Sequence, residues 1–219
     1  KIYPNDPKSF NYRGNMYLYQ TKEYDKAVKD FSKCIEIDSS FIYGFLNRAG
    51  VYFELEDYEK ALADLTSAIA LDKENPKRYG YRAECYIGMK DYTSALRDYD
   101  KAVELDVSGT RALNARGLFY YDQGDYDLAL KDFELMLKVD PTETYAINNR
   151  ALIFEKQGKD ELAIEEYTKA IAIKPDKPIY YENRADVYLE LEDYEKALAD
   201  LTSAIALDKE NPKRYAYRA

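Results

Sequence analysis

Apolar and polar positions recur along the chain with a period of 34 residues. Ala27, Ala61, Ala95, Ala129, Ala163 and Ala197 are each 34 apart. Four residues after each stands a large apolar side chain: Phe31, Leu65, Tyr99, Phe133, Tyr167 or Leu201. Seven after each stands Cys34, Ala68, Ala102, Met136, Ala170 or Ala204. Offsets of four and seven trace one stripe of an α-helix. Upstream lie Tyr52, Tyr86, Tyr120, Phe154 and Tyr188, preceded at helical spacing by Ala49, Ala83, Gly117, Ala151 and Ala185. These predict a second helix, so each period reads as helix, short turn, helix. The small residues matter because two helix axes approach closely only where a side chain is nearly absent, and the aromatics then fill the space between.

The punctuation agrees with this division. Pro7, Pro76, Pro178 and Pro212 stand where first helices begin, a position that tolerates a missing N–H. Pro141 and Pro175 fall just after second helices and stop them. Asp57, Asp91, Asp125 and Asp193 lie in the turns as expected caps for second helices.

A 34-residue helix-turn-helix period with this alanine column, with Asn47-Arg48-Ala49, Asn149-Arg150-Ala151 and Asn183-Arg184-Ala185 in first helices, resembles the tetratricopeptide repeat (TPR) family over essentially the whole chain. The resemblance implies an all-α fold, a right-handed α-solenoid, or superhelix, of antiparallel helix-turn-helix repeats. The expected repeats are 7–41, 42–75, 76–109, 110–143, 144–177 and 178–211, in a single array over 1–219. Residues 1–6 read as the tail of a preceding repeat and 212–219 as the start of another, so the chain is expected to be an excerpt of a longer protein. Several repeats depart from the pattern. The first carries one extra residue between Tyr17 and Ala27, which predicts a longer or bulged inter-helix turn. Met136 replaces a small residue in the fourth, and Asp160 a turn tyrosine in the fifth, so local packing is expected to differ there.

Residues 51–83 and 187–219 agree at 31 of 33 positions. Shared packing columns cannot account for shared surface residues such as Glu59/Glu195 and Lys60/Lys196, so a four-repeat block has been duplicated. Just upstream the copies differ at Tyr43/Ile179, Leu46/Glu182 and Gly50/Asp186, which marks either altered recognition or the end of the copied segment.

Composition narrows the chemistry. With 46% apolar residues the 219-residue chain can build a core, and no apolar run is long enough for a membrane-spanning helix, so no membrane insertion is expected. The chain has no His, which removes Ser/His/Asp triads and His-ligated zinc. Cys34 and Cys85 show no metal-ligand or CxxC spacing. No cofactor and no metal are expected. A net charge of −9 argues against nucleic acid and favours neutral or basic partners.

The family resemblance implies a concave surface lined by first helices that holds an extended peptide or a partner's helix. The residues it places there are Asn11, Tyr12 and Asn15 in the first repeat, Tyr43 and Asn47 in the second, and Lys77 and Tyr81 in the third. The fourth repeat supplies Arg111, Asn114 and Tyr121, the fifth Tyr145, Asn148 and Asn149, and the sixth Asn183. Asn donates and accepts at once, which suits an extended backbone, while Tyr adds rigid contact area with a polar tip. Asn47, Asn149 and Asn183 share position 6, where some family members form an Asn ladder along a peptide; Tyr81 and Ala115 interrupt it. The alternative is that these Asn are solvated or bonded within the fold. A two-carboxylate clamp of the chaperone-binding kind would fall on Asn11, Asn15, Asn47, Lys77 and Tyr81. The two mismatched positions should be cations, and such a clamp depends on charge-assisted bonds, so a working clamp is not expected. Arg48, Arg82, Arg116, Arg150, Arg184 and Arg218 form a column, as do Asp30, Asp64, Asp98, Asp132 and Asp200 with Glu166. Pairing of the two columns within the fold is the expected reading over an anion-binding ladder.

Together these features predict a non-catalytic protein–protein interaction scaffold. Its rivals are a regulatory or substrate-selecting arm of a larger enzyme and an end-to-end self-assembling scaffold, with self-association through uncapped ends. The compartment stays open, because a targeting segment can lie outside this chain.

Overall fold

The computed structural model describes residues 5–106 and 109–207. The chain divides into two compact units, Lys1–Val107 and Ser108–Ala219, and the division falls two residues before the end of the third predicted repeat. Unit 1 holds α1 (Pro7–Met16), a π-helical segment (Tyr17–Thr21), α2 (Tyr24–Ile37), α3 (Ile42–Glu54), α4 (Tyr58–Leu71), α5 (Pro76–Gly88) and α6 (Tyr92–Leu105). Unit 2 holds α7 (Thr110–Gln123), α8 (Tyr126–Val139), α9 (Thr144–Lys156), α10 (Asp160–Ile173), α11 (Pro178–Glu190) and α12 (Tyr194–Leu207). No strand occurs among the described residues. Within each unit every first helix packs on the second helix of its own repeat, and that one on the first helix of the next. Each unit is thus a stretch of all-α helical-repeat solenoid. Residues 1–4 and 212–219, with Pro212 and Arg218, lie outside the described residues.

The alanine column forms the floor of the packing. Ala27, Ala61, Ala95, Ala129 and Ala163 are completely buried, and the large residues four positions on lie beside them in the core. Side-chain volumes compensate between helices of one repeat. Gly14 and Gly117 face phenylalanines: a Cβ on Gly14 would stand 2.6 Å from the Phe31 ring, and one on Gly117 2.8 Å from Phe133. Where the first helix carries alanine, the partner is leucine or tyrosine, as in the clusters of Ala49 with Leu65, Ala151 with Tyr167 and Ala185 with Leu201. Met136 is fully packed despite its length.

Arginines of the first helices are bolted to acids of the second. Arg13 with Asp30, Arg48 with Asp64, Arg82 with Asp98, Arg116 with Asp132 and Arg184 with Asp200 form two parallel N–H···O bonds each, all between 2.5 and 2.8 Å. Several of these arginines also reach back to the preceding repeat: Nη1 of Arg48 donates to Ser32 at 2.9 Å and that of Arg184 to Thr168 at 2.7 Å. The carboxylate bonds raise the Arg48, Arg82 and Arg184 guanidiniums above their ordinary value against the opposing effect of burial. Arg150 is the exception. Its partner is Glu166, whose extra methylene leaves the nearest contact at 3.6 Å, and Lys169 holds the same Oε1 at 2.9 Å.

Helix ends follow the local sequence closely. Pro7, Pro76 and Pro178 open α1, α5 and α11, and the carboxyls of Asp57, Asp91 and Asp193 accept the N–H groups of Lys60, Ser94 and Lys196. Asp125 holds the equivalent place without a side-chain capping bond. Asp160 opens α10 next to Glu161, where negative charge suits the helix N-terminus. Each turn between the two helices of one repeat passes through one left-handed residue: Lys22, Glu56, Lys90, Gly124, Gly158 or Glu192. The spare residue of the first repeat does not lengthen this turn. Glu23 N–H closes on the Tyr17 carbonyl six residues back, whereas Asp57 closes on Tyr52 five back. The extra residue is therefore absorbed at the end of the first helix, as the π-helical Tyr17–Thr21.

Candidate functional site

The predicted face belongs to the first helices, and its two halves are built separately. In unit 1, α1 presents Asn11, Tyr12 and Asn15, α3 presents Tyr43 and Asn47, and α5 presents Lys77 and Tyr81. Tyr12, Tyr43 and Tyr81 are exposed over 50 to 69% of their surface, although most other tyrosines among the described residues are wholly or partly packed. Lys77 is exposed as well. Asn47 donates its Nδ2 to Oδ1 of Asn11 at 2.7 Å, linking α3 to α1. Asn15 Oδ1 is buried without a partner among the described residues.

In unit 2, α7 presents Arg111, Asn114 and Tyr121, α9 presents Tyr145, Asn148 and Asn149, and α11 presents Asn183. Four of these amides join in one chain. Asn183 donates to Asn148 at 2.9 Å, Asn148 to Asn149 at 3.5 Å, and Asn149 to Asn114 at 3.3 Å. All donors point the same way, an arrangement in which successive hydrogen bonds polarise one another. Asn148 is buried within it, while Tyr145 and Arg111 stay exposed.

These bonds follow a pairing rule. An Asn at position 5 of one repeat accepts from an Asn at position 6 of the next: Asn11 with Asn47, Asn114 with Asn149, Asn148 with Asn183. Where position 5 is Leu46 or Gly80, position 6 of the following repeat is Tyr81 or Ala115. The position-6 amides are therefore held from behind by the fold. Each still has a second N–H, so engagement within the fold and outward hydrogen bonding are compatible. Reading each position down its own column hides this coupling; comparing position 5 with position 6 one repeat later would have revealed it.

The surroundings are acidic. Burial pushes the carboxyls of Glu84, Glu155 and Asp186 above the ordinary range, and Glu190 adds to the rise at Glu155 and Asp186. The Tyr167 hydroxyl donates to Glu155 at 3.0 Å. Neither thiol is poised for nucleophilic chemistry. Both are buried, and burial pushes Cys34 up to about 11 and Cys85 up to about 12. Among the described residues no three Cys, Asp or Glu side chains converge as a metal site requires, and no helix is long and apolar enough to cross a membrane.

Comparison with known sequences and folds gives one consistent result. Five tetratricopeptide-repeat families match, over residues 10–41, 52–116, 110–143, 152–192 and 178–211. No curated protein matches the sequence. Among solved structures, a tetratricopeptide repeat protein from Parabacteroides merdae is similar over 96% of this chain and 82% of its own, with 22% identity and a TM-score of 0.70. YrrB, described as a TPR protein with an unusual peptide-binding site, is similar over 86% of this chain and 97% of its own, with 20% identity and a TM-score of 0.58. The APC/C assembly Cut9–Hcn1 contains a chain similar over 98% of this one, with 17% identity and a TM-score of 0.68. The present chain spans 42% of that chain's length. At these identities the likeness concerns the fold.

Proposed function

Because the chain belongs to the tetratricopeptide repeat family, we propose that it is a non-catalytic scaffold that binds an extended peptide or a partner's helix on the face of its first helices. The observation that carries this reading is the set of exposed tyrosines, Tyr12, Tyr43, Tyr81 and Tyr145, standing beside Asn side chains on that face. A tyrosine exposed over half its surface or more adds little to the fold, whereas against a partner it buries a large rigid area at low entropic cost. The amides beside them are oriented by their neighbours, which lowers the cost of ordering them on binding. A peptide-binding site in a fold neighbour such as YrrB is in keeping with this use of the architecture. The acidic face and the net charge of −9 favour neutral or basic partners over nucleic acid.

The test is selection of peptides from a random 12-residue phage-display library on the full chain, followed by anisotropy titration of a labelled selected peptide. Tyr145→Ala or the double change Asn149→Ala with Asn183→Ala is expected to weaken a unit 2 ligand about tenfold, with helicity by circular dichroism unchanged. Selected peptides that bind the tyrosine and asparagine variants of both units as tightly as the parent chain would refute the proposal.

A further inference from the structure

Residues 47–83 and 183–219 are identical at 34 of 37 positions, and the three exceptions are Gly50/Asp186, Phe53/Leu189 and Gly80/Ala216. In the first copy all three lie on first helices, at positions 9, 12 and 5 of their repeats. That is the face carrying Tyr43 and Tyr81. Solvated residues elsewhere in the segment, such as Glu59, Lys60 and Lys73, are unchanged between the copies, so the differences are confined to the first helices.

Packing does not account for the glycines. A Cβ added to Gly50 or Gly80 meets no heavy atom within 4 Å, whereas one on Gly14, Gly44, Gly88 or Gly117 comes within 3 Å of a packed side chain. Glycine inside a helix is less stable than alanine, so these two positions sacrifice stability with no return inside the fold. Around them, helical spacing sets Tyr43, Asn47 and Gly50 on one stripe of α3, and Lys77, Gly80, Tyr81 and Glu84 along the same side of α5. Phe53 is partly exposed near the end of that α3 face. Glu84 reaches water, yet its neighbours crowd the carboxyl enough that burial raises its pKa, and no cation pairs with it among the described residues.

We propose that this face of unit 1 binds an extended basic peptide, whose backbone runs over Gly50 and Gly80 and which sets a Lys or Arg against Glu84. Without a Cβ at either glycine the peptide backbone approaches α3 and α5 directly, flanked by Tyr43, Phe53 and Tyr81, with the Asn47 amide available to its peptide groups. Lys77 lies seven residues before Glu84, about 10 Å along α5, so the basic side chain belongs at the Glu84 end only. The second copy, with Asp186 in place of Gly50, offers a different floor. This inference rests on the scaffold reading and deepens it by naming the partner's chemistry.

The experiment is fluorescence anisotropy of the full chain with labelled positional-scanning mixtures of 10-residue peptides, fixed in turn as Lys, Arg, Ala or Glu, at low ionic strength. The Lys- and Arg-fixed mixtures are expected to bind at least tenfold more tightly than the Glu-fixed one. Gly50→Ala with Gly80→Ala is expected to raise the melting midpoint while weakening binding tenfold or more, a combination that loss of folding cannot produce. Glu84→Gln is expected to abolish the preference for Lys and Arg while neutral mixtures still bind. Equal binding of Lys- and Glu-fixed mixtures would overturn the proposal, as would a glycine variant of unchanged affinity. Binding that survives the glycine changes and disappears with Tyr145→Ala would overturn it while leaving the scaffold reading intact. A chain that binds none of the mixtures would defeat both.

Discussion

Asp64→Ala is expected to lower the stability of the chain by about 2–3 kcal/mol, read as a lower denaturant midpoint. Asp64 is buried and accepts both Nε and Nη2 of Arg48, at 2.8 and 2.7 Å, across the two helices of one repeat. Removing the acid leaves a mostly buried guanidinium with Ser32 as its remaining hydrogen-bond partner, and an unpaired buried charge costs more than the pair contributes. The same change at the fifth repeat has a built-in contrast. Glu166 meets Arg150 at 3.6 Å and shares its carboxylate with Lys169, so Glu166→Ala is expected to cost less than Asp64→Ala. Equal losses at the two sites would mean that the bidentate geometry is not what secures the helix pair.

Gly117→Leu is expected to cost about 3 kcal/mol, because even a Cβ at this position stands 2.8 Å from the Phe133 ring and both residues are buried. Ala129, one turn before Phe133 on α8, is itself completely enclosed, so the helix pair has no slack at this level. The remedy is visible elsewhere in the chain: Ala49 pairs with Leu65 and Ala185 with Leu201. Gly117→Ala combined with Phe133→Leu is therefore expected to be more stable than the sum of the two single changes, by about 1 kcal/mol or more in a double-mutant cycle. Strict additivity would contradict the volume matching between first and second helices.

These two sites show how far the sequence carries. The helix pairs, their alanine floor and the prolines that open first helices are legible because each is a local requirement repeated at one spacing. The Arg–acid pairing is legible because two columns of opposite charge run in step. Arg13, the first member of that set, escapes notice because the extra residue in the first repeat breaks the count. The place of that residue could not be read, since a π-turn at a helix end and a longer loop satisfy the same backbone with the same number of residues. The Asn candidates were legible as a polar column, but not as donors and acceptors for one another. Their bonds join position 5 to position 6 across repeats, a relation that exists only when neighbouring helices are in place. The value of Gly50 and Gly80 was equally hidden, because sequence alone does not distinguish a glycine that relieves a clash from one beside open space.

Partners are expected to bind on the first-helix face. Hydrogen–deuterium exchange of the full chain, with and without a saturating peptide selected from the random 12-residue library, tests this directly. Slowed exchange is expected in the peptide-facing first helices, α3 and α5 or α9 and α11, with α4, α6, α10 and α12 unchanged. Protection confined to the second helices, with the first helices exchanging as in the free chain, would contradict it.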